Sequence, residues 1–414
     1  MNAQLSNNIA RTLLLGFFES FLVIMPVAVP FFQSKGLSMQ QVFALQALFG
    51  LVVMVAEVPS GYVADLVGRK RALVLGAAFV GVGHSLLLNA NGFWTLAMFE
   101  IALGIGHSLI SGADIALLYD TVVGEAGERE GAPSAQDPDR NRSQRRQVVG
   151  RLHAWRSFSE AGAGAACSLV LVWWSMQAVV IVQVIVGWLP LLLALCLREP
   201  PVERLPVSAG HRSNMMRILR HLLWGDAVLR LTFLAICIWG LTTFYAVWLI
   251  QKLWHQDGLP LAHFGYLWGA LTVVGALAGR WAHKVEDAIG APALLVAVGM
   301  LPVLGYLGLG AFGVAGGVVA SVLFFVAGGL GQVTLKDALN ARVPGEFRAT
   351  ANSMASFGFR CAFVATGPLV GFSHDQWGMS VTLLGLAGAS AAILAGLILP
   401  LAVAARGLAA RSPA

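Results

Sequence analysis

Long runs of apolar residues, separated by short polar segments, fill most of the chain. Each run holds about 20 residues, which at about 1.5 Å of helical rise per residue crosses the roughly 30 Å hydrocarbon layer of a membrane. The runs are predicted to be helices, because a sheet edge could not satisfy its backbone hydrogen bonds in lipid. We predict twelve transmembrane helices, at residues 10–32, 42–63, 72–90, 93–118, 149–173, 177–197, 228–250, 261–282, 291–310, 316–339, 350–372 and 379–403.

The composition agrees with a membrane protein. Of 414 residues, 57% are hydrophobic and 12% are charged, against about a quarter charged in soluble domains. The lipid bilayer is therefore the expected surrounding of most of the chain. Four cysteines fall inside predicted helices without a Cys-x-x-Cys pair, so neither a zinc site nor a disulfide framework is predicted. We expect no metal and no cofactor.

Lysine and arginine residues concentrate in alternate loops, on one side of the predicted membrane. They include Arg69, Lys70 and Arg71 after the second helix, and a group ending at Arg156 after the fourth. Cytoplasmic loops carry such an excess of basic residues, so both termini are predicted to be cytoplasmic. The net charge of +6 is then explained by topology, and no nucleic-acid partner is expected.

A long polar gap near the middle of the chain divides the predicted helices into two sets of six. We predict an N-terminal bundle at residues 1–197, a cytoplasmic linker at 198–227 and a C-terminal bundle at 228–414. A second polar segment, 121–147, is rich in Gly, Glu, Asp, Pro and Arg and has no apolar period. It is predicted to be a mobile cytoplasmic loop, acting as a tether rather than a regulatory element.

The connection between the second and third helices has the form Gly-x-x-x-Asp-x-x-Gly-Arg-Lys-Arg. In a chain with two predicted six-helix halves, this motif resembles the signature loop of the major facilitator superfamily. The matching residues are Gly61, Asp65, Gly68, Arg69 and Lys70. The chain departs from the family pattern at Leu66, where the family usually has a basic residue.

Other segments resemble a bacterial branch of the superfamily. Residues 111–120 and 348–353 are similar to segments of proteins mostly labelled drug or small-molecule permeases, which implies a bacterial inner membrane. Many antiporters of the family have glycines and a proline in the fifth helix. Here Gly162 and Gly164 are present without that proline, which weakens the interpretation as an exporter.

The resemblance implies that the signature loop is a cytoplasmic latch between the two halves. Asp65 is a candidate acceptor for Arg69 or for the N-terminus of the eleventh helix, with Glu57 supporting the loop. Gly61 and Gly68 permit close approach and unusual backbone angles. The alternative is that the cations only anchor the topology, which we favour for Lys70 and Arg71.

Ionisable residues inside the predicted helices are candidates for function, because a charge at membrane depth is costly unless paired or hydrated. Glu19 lies about halfway along the first helix and is a candidate proton carrier; alternatively it is a protonated acid bonded between helices. Glu100, His107 and Asp114 recur every seven residues and so share one face of the fourth helix. This stripe is predicted to bind protons or substrate, unless its ends lie at the interfaces and its histidine only bonds a neighbouring helix.

The eleventh predicted helix carries Arg360, which cannot lose its proton and therefore needs a carboxylate, an anionic substrate or water beside it. Glu19 and Glu160 are the first partners to test. An inner gate, by the symmetry of the halves, would join a pair on the tenth helix to a pair on the fourth. Its candidate residues are Lys336, Asp337, Tyr119 and Asp120; the alternative is that these residues are only solvated at the membrane interface.

The sequence favours a secondary transporter for a small organic molecule, with protons as coupling ion and a monomer as working unit. We predict export of amphipathic or drug-like compounds; the alternative is uptake of an organic anion that binds Arg360. An intramembrane enzyme using His107 and nearby carboxylates is the alternative of another class. The chain has no Gly-x-Ser-x-Gly, His-Glu-x-x-His or phosphate-binding glycine motif to support it.

Overall fold

The computed structural model describes residues 3–130, 138–199, 219–311, 313–344 and 347–409. Over these ranges the chain is helical and contains no strand, which confirms the predicted all-α class. The helices before the linker are α1 (Ala3–Ser20), α2 (Ala28–Ser34), α3 (Met39–Val67), α4 (Arg69–Leu86), α5 (Phe93–Glu130), α6 (Pro138–Trp173) and α7 (Met176–Leu195).

Further helices follow the predicted linker. They are α8 (Ala227–Gln256), α9 (Leu261–Ile289), α10 (Ala291–Ala311), α11 (Gly313–Arg342), α12 (Arg348–Ile393) and α13 (Leu399–Ala409). A π-helical turn, Leu394–Ile398, joins the last two. Gly378 interrupts α12, because its backbone has φ of 79° and ψ of 176°, angles that only glycine adopts readily.

Ten segments of the described residues are long and apolar enough to cross a membrane. The predicted eleventh and twelfth helices share one of them, Thr350–Gly407, on either side of Gly378. The predicted fifth helix lies in α6, which is not among the ten and carries Arg151, Arg156 and Glu160. The number twelve and the cytoplasmic termini therefore stay predictions.

The prediction of a mobile loop at 121–147 is wrong for most of these residues, which are helical. α5 continues to Glu130 and α6 begins at Pro138; residues 131–137 lie outside the described residues. Glutamate, arginine and glutamine favour helices, and proline is well suited to a first helical position. Both α5 and α6 therefore extend as polar helices beyond the predicted apolar runs. The predicted linker lies largely outside the described residues, at 200–218.

Contacts group the chain into two compact units. Unit 1 contains residues 1–31, 48–206 and 261–269, and unit 2 contains residues 32–47, 207–260 and 270–414. The boundaries of these units along the chain differ from those of the predicted six-helix bundles. The two bundles therefore stay a prediction. The core of unit 1 packs α4 and α5 together through buried residues that include Leu73, Ala77, Ile110, Ala113 and Leu117. The core of unit 2 includes Trp239, Leu294, Val298, Leu330 and Ile398.

Candidate functional site

The first predicted transmembrane segment is broken next to one of its candidate residues. α1 ends at Ser20, residues 21–24 are not α-helical, and a 3₁₀ turn at Met25–Val27 leads into α2. Pro26 lies in that turn, and proline has no N–H with which to continue a helix. Such a break frees backbone groups that lipid cannot satisfy.

Side chains from α6 and α7 bind the freed backbone groups. Gln183 on α7 accepts a hydrogen bond from the N–H of Ile24 at 3.2 Å, and its amide nitrogen lies 3.2 Å from Nε2 of the buried His84. The hydroxyl of Ser159 on α6 donates to the carbonyl of Phe17 at 2.5 Å. Specific polar contacts within unit 1 therefore hold the break in place.

Four side chains beside the break form a connected group, which we call the carboxylate cluster. Oε1 of Glu19 lies 3.0 Å from Nδ1 of His107, and Oε2 accepts a hydrogen bond from Nη2 of Arg156 at 3.0 Å. The same nitrogen of Arg156 donates to Oδ2 of Asp114 at 2.8 Å. The other carboxylate oxygen of Asp114 accepts from the N–H of Ile115 at 2.6 Å. Three helices, α1, α5 and α6, thus meet through their charged groups.

Three of the four side chains of the cluster are largely shielded from solvent, while the side chain of His107 is 38% exposed. Asp114 is fully buried, and the side chains of Glu19 and Arg156 are 10% and 20% exposed. With both carboxylates ionised and His107 neutral, one guanidinium faces two negative charges. One added proton, on His107 or on a carboxylate, makes the group neutral. A buried group of this composition favours taking up a proton or a second cation.

Arg156 is a candidate functional residue that the sequence patterns did not indicate. Counting it among the cytoplasmic loop cations was wrong, because its side chain lies among buried carboxylates. Two signals were available: Arg156 falls inside the predicted helix 149–173, and it precedes Glu160 by one helical turn. Because a guanidinium cannot lose its proton, an arginine inside an apolar run is expected to have a carboxylate partner.

The remaining cavity candidates lie at different places. Glu100 is buried on α5, two helical turns before His107. Glu160 lies on α6, within electrostatic reach of Arg156 and Glu19. Arg360 lies on α12 in unit 2 and is half-buried. The roles predicted for these residues stay predictions.

The signature loop is shorter than predicted. α3 runs as a helix through residues 61–67, and the turn is made at Gly68, whose φ is 107°. Arg69 forms an ion pair with Asp120 and donates to the carbonyl of Ala116 at 2.5 Å. It therefore binds α5 within unit 1. The side-chain environments of Gly61 and Asp65 lie outside the described part of the chain, and so does any bond between Asp65 and Arg69.

The other latch and gate candidates have separate surroundings. Glu57 is half-buried, and its backbone carbonyl accepts the hydroxyl of Ser60 at 2.9 Å. On α11, Asp337 lies 3.3 Å from Nε2 of His283, and both side chains are more than half exposed. Lys336 and Tyr119 are exposed. Thus each of the two acids proposed for the inner gate pairs with a basic residue of its own unit.

In unit 1, α6 and the start of α9 approach each other closely on the predicted outer side. A Cβ at Gly164 would lie 2.6 Å from the carbonyl oxygen of Gly265, and a Cβ at Gly265 would lie 2.1 Å from that of Gly164. The backbone N–H of Tyr266 donates to Ser168 at 2.8 Å. Only glycine permits backbones to come this near, as at other helix contacts in membranes.

Replacing Gly164 by valine is expected to separate α6 from α9, because the added side chain overlaps the backbone of Gly265. Cys167, one turn further along α6, is fully buried and reports the change. In a background whose other three cysteines are alanine, alkylation of Cys167 by N-ethylmaleimide should become severalfold faster. Gly112→Val is the control, since nothing lies within 4 Å of a Cβ there. Equal alkylation rates in both variants would contradict the tight contact.

A second contact on the predicted outer side lies within unit 2. The carboxylate of Asp375 on α12 accepts the backbone N–H groups of Met39 at 3.1 Å and of Gln40 at 2.8 Å. These groups are at the N-terminus of α3, where a carboxylate is favoured by the unpaired N–H groups and the helix dipole. The connection after α2 is therefore anchored to α12.

Among the described residues, no group of three or more His, Cys, Asp or Glu side chains could hold a metal ion. The cluster instead joins carboxylates to a guanidinium and an imidazole. The arrangement is therefore suited to proton and ion binding.

Comparison with known proteins identifies the architecture. The model of the Major Facilitator Superfamily matches residues 12–341. The structure is similar to the nucleoside transporter NupG, with 12% identity and a TM-score of 0.77 over 95% of this chain and 99% of that one. It is also similar to a bacterial homolog of the human lysosomal transporter Spinster, with 15% identity and a TM-score of 0.74 over 100% of both chains.

A third similar structure is that of the D-xylose-proton symporter, with 14% identity and a TM-score of 0.67 over 95% of this chain and 97% of that one. At these identities the three structures show a shared fold alone. A search of curated protein sequences found no match to the chain.

Proposed function

The chain belongs to the major facilitator superfamily, and on that premise we propose that it exports amphipathic or drug-like molecules in exchange for protons. The protein is a membrane transporter of this superfamily. Membership indicates a transporter rather than an intramembrane enzyme built on His107. The observation that supports proton coupling is the carboxylate cluster around Glu19.

The charge balance of the cluster suggests how a proton takes part. Two carboxylates share one guanidinium, and a net charge buried at membrane depth costs several kcal/mol. A proton on Glu19, His107 or Asp114 removes that net charge. A positively charged substrate near Glu19 would remove it as well. Proton and substrate would then bind alternately, which is the requirement for exchange.

Alternating access requires contacts that open and close on each side of the membrane. On the predicted outer side, the candidates are the Gly164–Gly265 contact in unit 1 and the Asp375–Gln40 contact in unit 2. On the predicted cytoplasmic side, the candidate is the signature loop, through Arg69 and Asp120. The break after Ser20 gives the first segment a place to bend beside the cluster.

Uptake of an organic anion is the second candidate function. Its support is Arg360, a half-buried guanidinium on α12 that stays charged at any physiological pH. A carboxylate or phosphate of a substrate would bind it through paired hydrogen bonds. Under either function we propose a monomer in the inner membrane of a bacterium.

Transport by the purified protein in liposomes tests the proposal. Vesicles with an acidic lumen are given ethidium, an amphipathic cation, outside. Exchange predicts that ethidium accumulates, that the lumen loses protons at the same time, and that an ionophore which collapses the pH gradient stops both. Vesicles without protein give the background.

Vesicles with the opposite gradient, acidic outside, distinguish the two candidates. Protein-dependent accumulation of benzoate together with protons in these vesicles, with no ethidium transport in the first set, would favour uptake of an organic anion. If the pH gradient changed the transport rate of neither ethidium nor benzoate, proton coupling would be contradicted.

A further inference from the structure

A cavity of about 640 Å³ lies next to the signature loop, at the basic end of unit 1. Three cations line it, Lys70, Arg71 and Arg198, together with the carboxylate of Glu199 and apolar side chains that include Leu66. The lining carries a net charge of +2 from these four ionisable groups. The carboxylate cluster described above contributes none of these residues.

The wall of the cavity that carries Arg198 is held by α1. The side-chain amide of Asn8 donates to the carbonyl of Arg198 at 2.9 Å and accepts its N–H at 2.9 Å. Asn8 is fully buried. Arg11 donates to the carbonyl of Cys196 at 2.6 Å. Residues 196–198 therefore have a fixed backbone, although they follow the end of α7.

Glu199 holds the part of the cavity that carries Lys70 and Arg71. Its carboxylate accepts the backbone N–H groups of Arg69 and Lys70, each at 2.8 Å. This places one negative charge at the N-terminus of α4, where the helix dipole favours it. Gly68 makes the turn that orients Lys70 and Arg71 toward the cavity rim. Both parts of the cavity are thus organised by hydrogen bonds before any ligand binds.

The apolar part of the lining identifies the kind of anion. Leu66 is 60% exposed, and Val67 beside it is 38% exposed. Leu66 occupies the position where the superfamily usually has a basic residue, so this chain presents apolar surface there. Basic residues next to exposed apolar ones, at the ends of α3, α4 and α7, match a phosphate group that continues into hydrocarbon chains. Inorganic phosphate would make no favourable contact with these apolar side chains.

We propose that this cavity binds the headgroup of an anionic phospholipid, with its phosphate on Lys70, Arg71 and Arg198 and the start of its acyl chains on Leu66 and Val67. Bound lipid would join the signature loop to the beginning of the linker. The anionic lipid content of the membrane would thereby influence the conformation of this loop. The proposal concerns binding alone and does not depend on the substrate or on proton coupling.

Native mass spectrometry of the purified protein tests the site. Protein from mixed micelles of phosphatidylglycerol and phosphatidylcholine should retain phosphatidylglycerol preferentially. Each cation removed should lower that retention about fivefold, because a basic residue near a membrane surface contributes about that factor. The variants are Lys70→Gln/Arg71→Gln and Arg198→Gln. The matched control is Arg280→Gln/Lys284→Gln, which removes two exposed cations from the last third of α9, on the same predicted side of the membrane.

Leu66→Ser separates lipid from other anions, since it changes no charge and replaces an exposed side chain. We expect it to lower phosphatidylglycerol retention severalfold and to leave weak binding of inorganic phosphate unchanged. Equal loss in the Arg280→Gln/Lys284→Gln control would show general attraction to basic loops and overturn the site. Thermal stabilisation by inorganic phosphate equal to that by phosphatidylglycerol would overturn the assignment to lipid.

Discussion

Replacing Glu19 by glutamine is expected to lower gradient-driven transport by at least about tenfold, while exchange without a gradient continues. Glutamine preserves hydrogen bonding to His107 and Arg156 but has no proton to release. The cluster would then hold one carboxylate and one guanidinium, so neither a proton nor a cation would be needed for neutrality. The measurement is ethidium transport in liposomes, with and without an imposed pH gradient.

Asp287→Asn is the control for Glu19→Gln, since this carboxylate is exposed near the end of α9. It should transport like the unmodified protein under both conditions. If Glu19→Gln retained full gradient-driven transport, the coupling role of Glu19 would be wrong. Loss of both kinds of transport, with normal thermal unfolding, would instead assign Glu19 to substrate binding.

Replacing Arg156 by glutamine is expected to destabilise the protein most. The change leaves Glu19 and Asp114 buried without their shared cation, and removing one partner of a buried pair costs about 3–5 kcal/mol. Thermal unfolding in detergent should show a clear fall in midpoint temperature. Arg156→Lys should lose much less, because a single nitrogen of Arg156 contacts both carboxylates and an ammonium could take that place.

The double variant Arg156→Gln/Asp114→Asn distinguishes charge balance from packing. It removes one positive and one negative charge, so most of the lost stability should return. Gradient-driven transport should stay impaired, because Glu19 then lacks its cation. An equally unstable double variant would show that Arg156 acts through packing of its long side chain.

The helices were predictable because lipid leaves the backbone so few alternatives. Every apolar run proposed from the sequence overlaps a helix, and the stripe of Glu100, His107 and Asp114 lies on α5 as expected. Seven-residue spacing fixes a shared helix face whatever the surrounding fold. It does not say which helix that face meets.

The break after Ser20 was not predicted. The run 10–32 is apolar throughout apart from a few residues, and neither length nor composition shows where its backbone leaves the helix. Pro26 was the available signal, yet proline is often tolerated in transmembrane helices when neighbours bind the freed groups. Here those neighbours are Gln183 and Ser159, which are far away in sequence.

The ion-pair partners of the charged residues also could not be predicted from the sequence. The shared motif suggests Asp65 as a partner of Arg69, which the described residues do not test; the ion pair that they show joins Arg69 to Asp120, 51 residues further along. Arg156 was assigned to a loop because it follows a dense group of arginines. In both cases the pairing depends on how α4, α5 and α6 pack. The packing of these helices cannot be derived from a single sequence.

A single nitrogen of Arg156 touches carboxylates from two different helices, Glu19 on α1 and Asp114 on α5. The two contacts, at 3.0 and 2.8 Å, leave little tolerance before a hydrogen bond is lost. A displacement of α1 by about 1 Å would break one contact and leave the other intact. We expect the guanidinium then to act as a two-position switch, in which the carboxylate that has lost its contact is the one that accepts a proton.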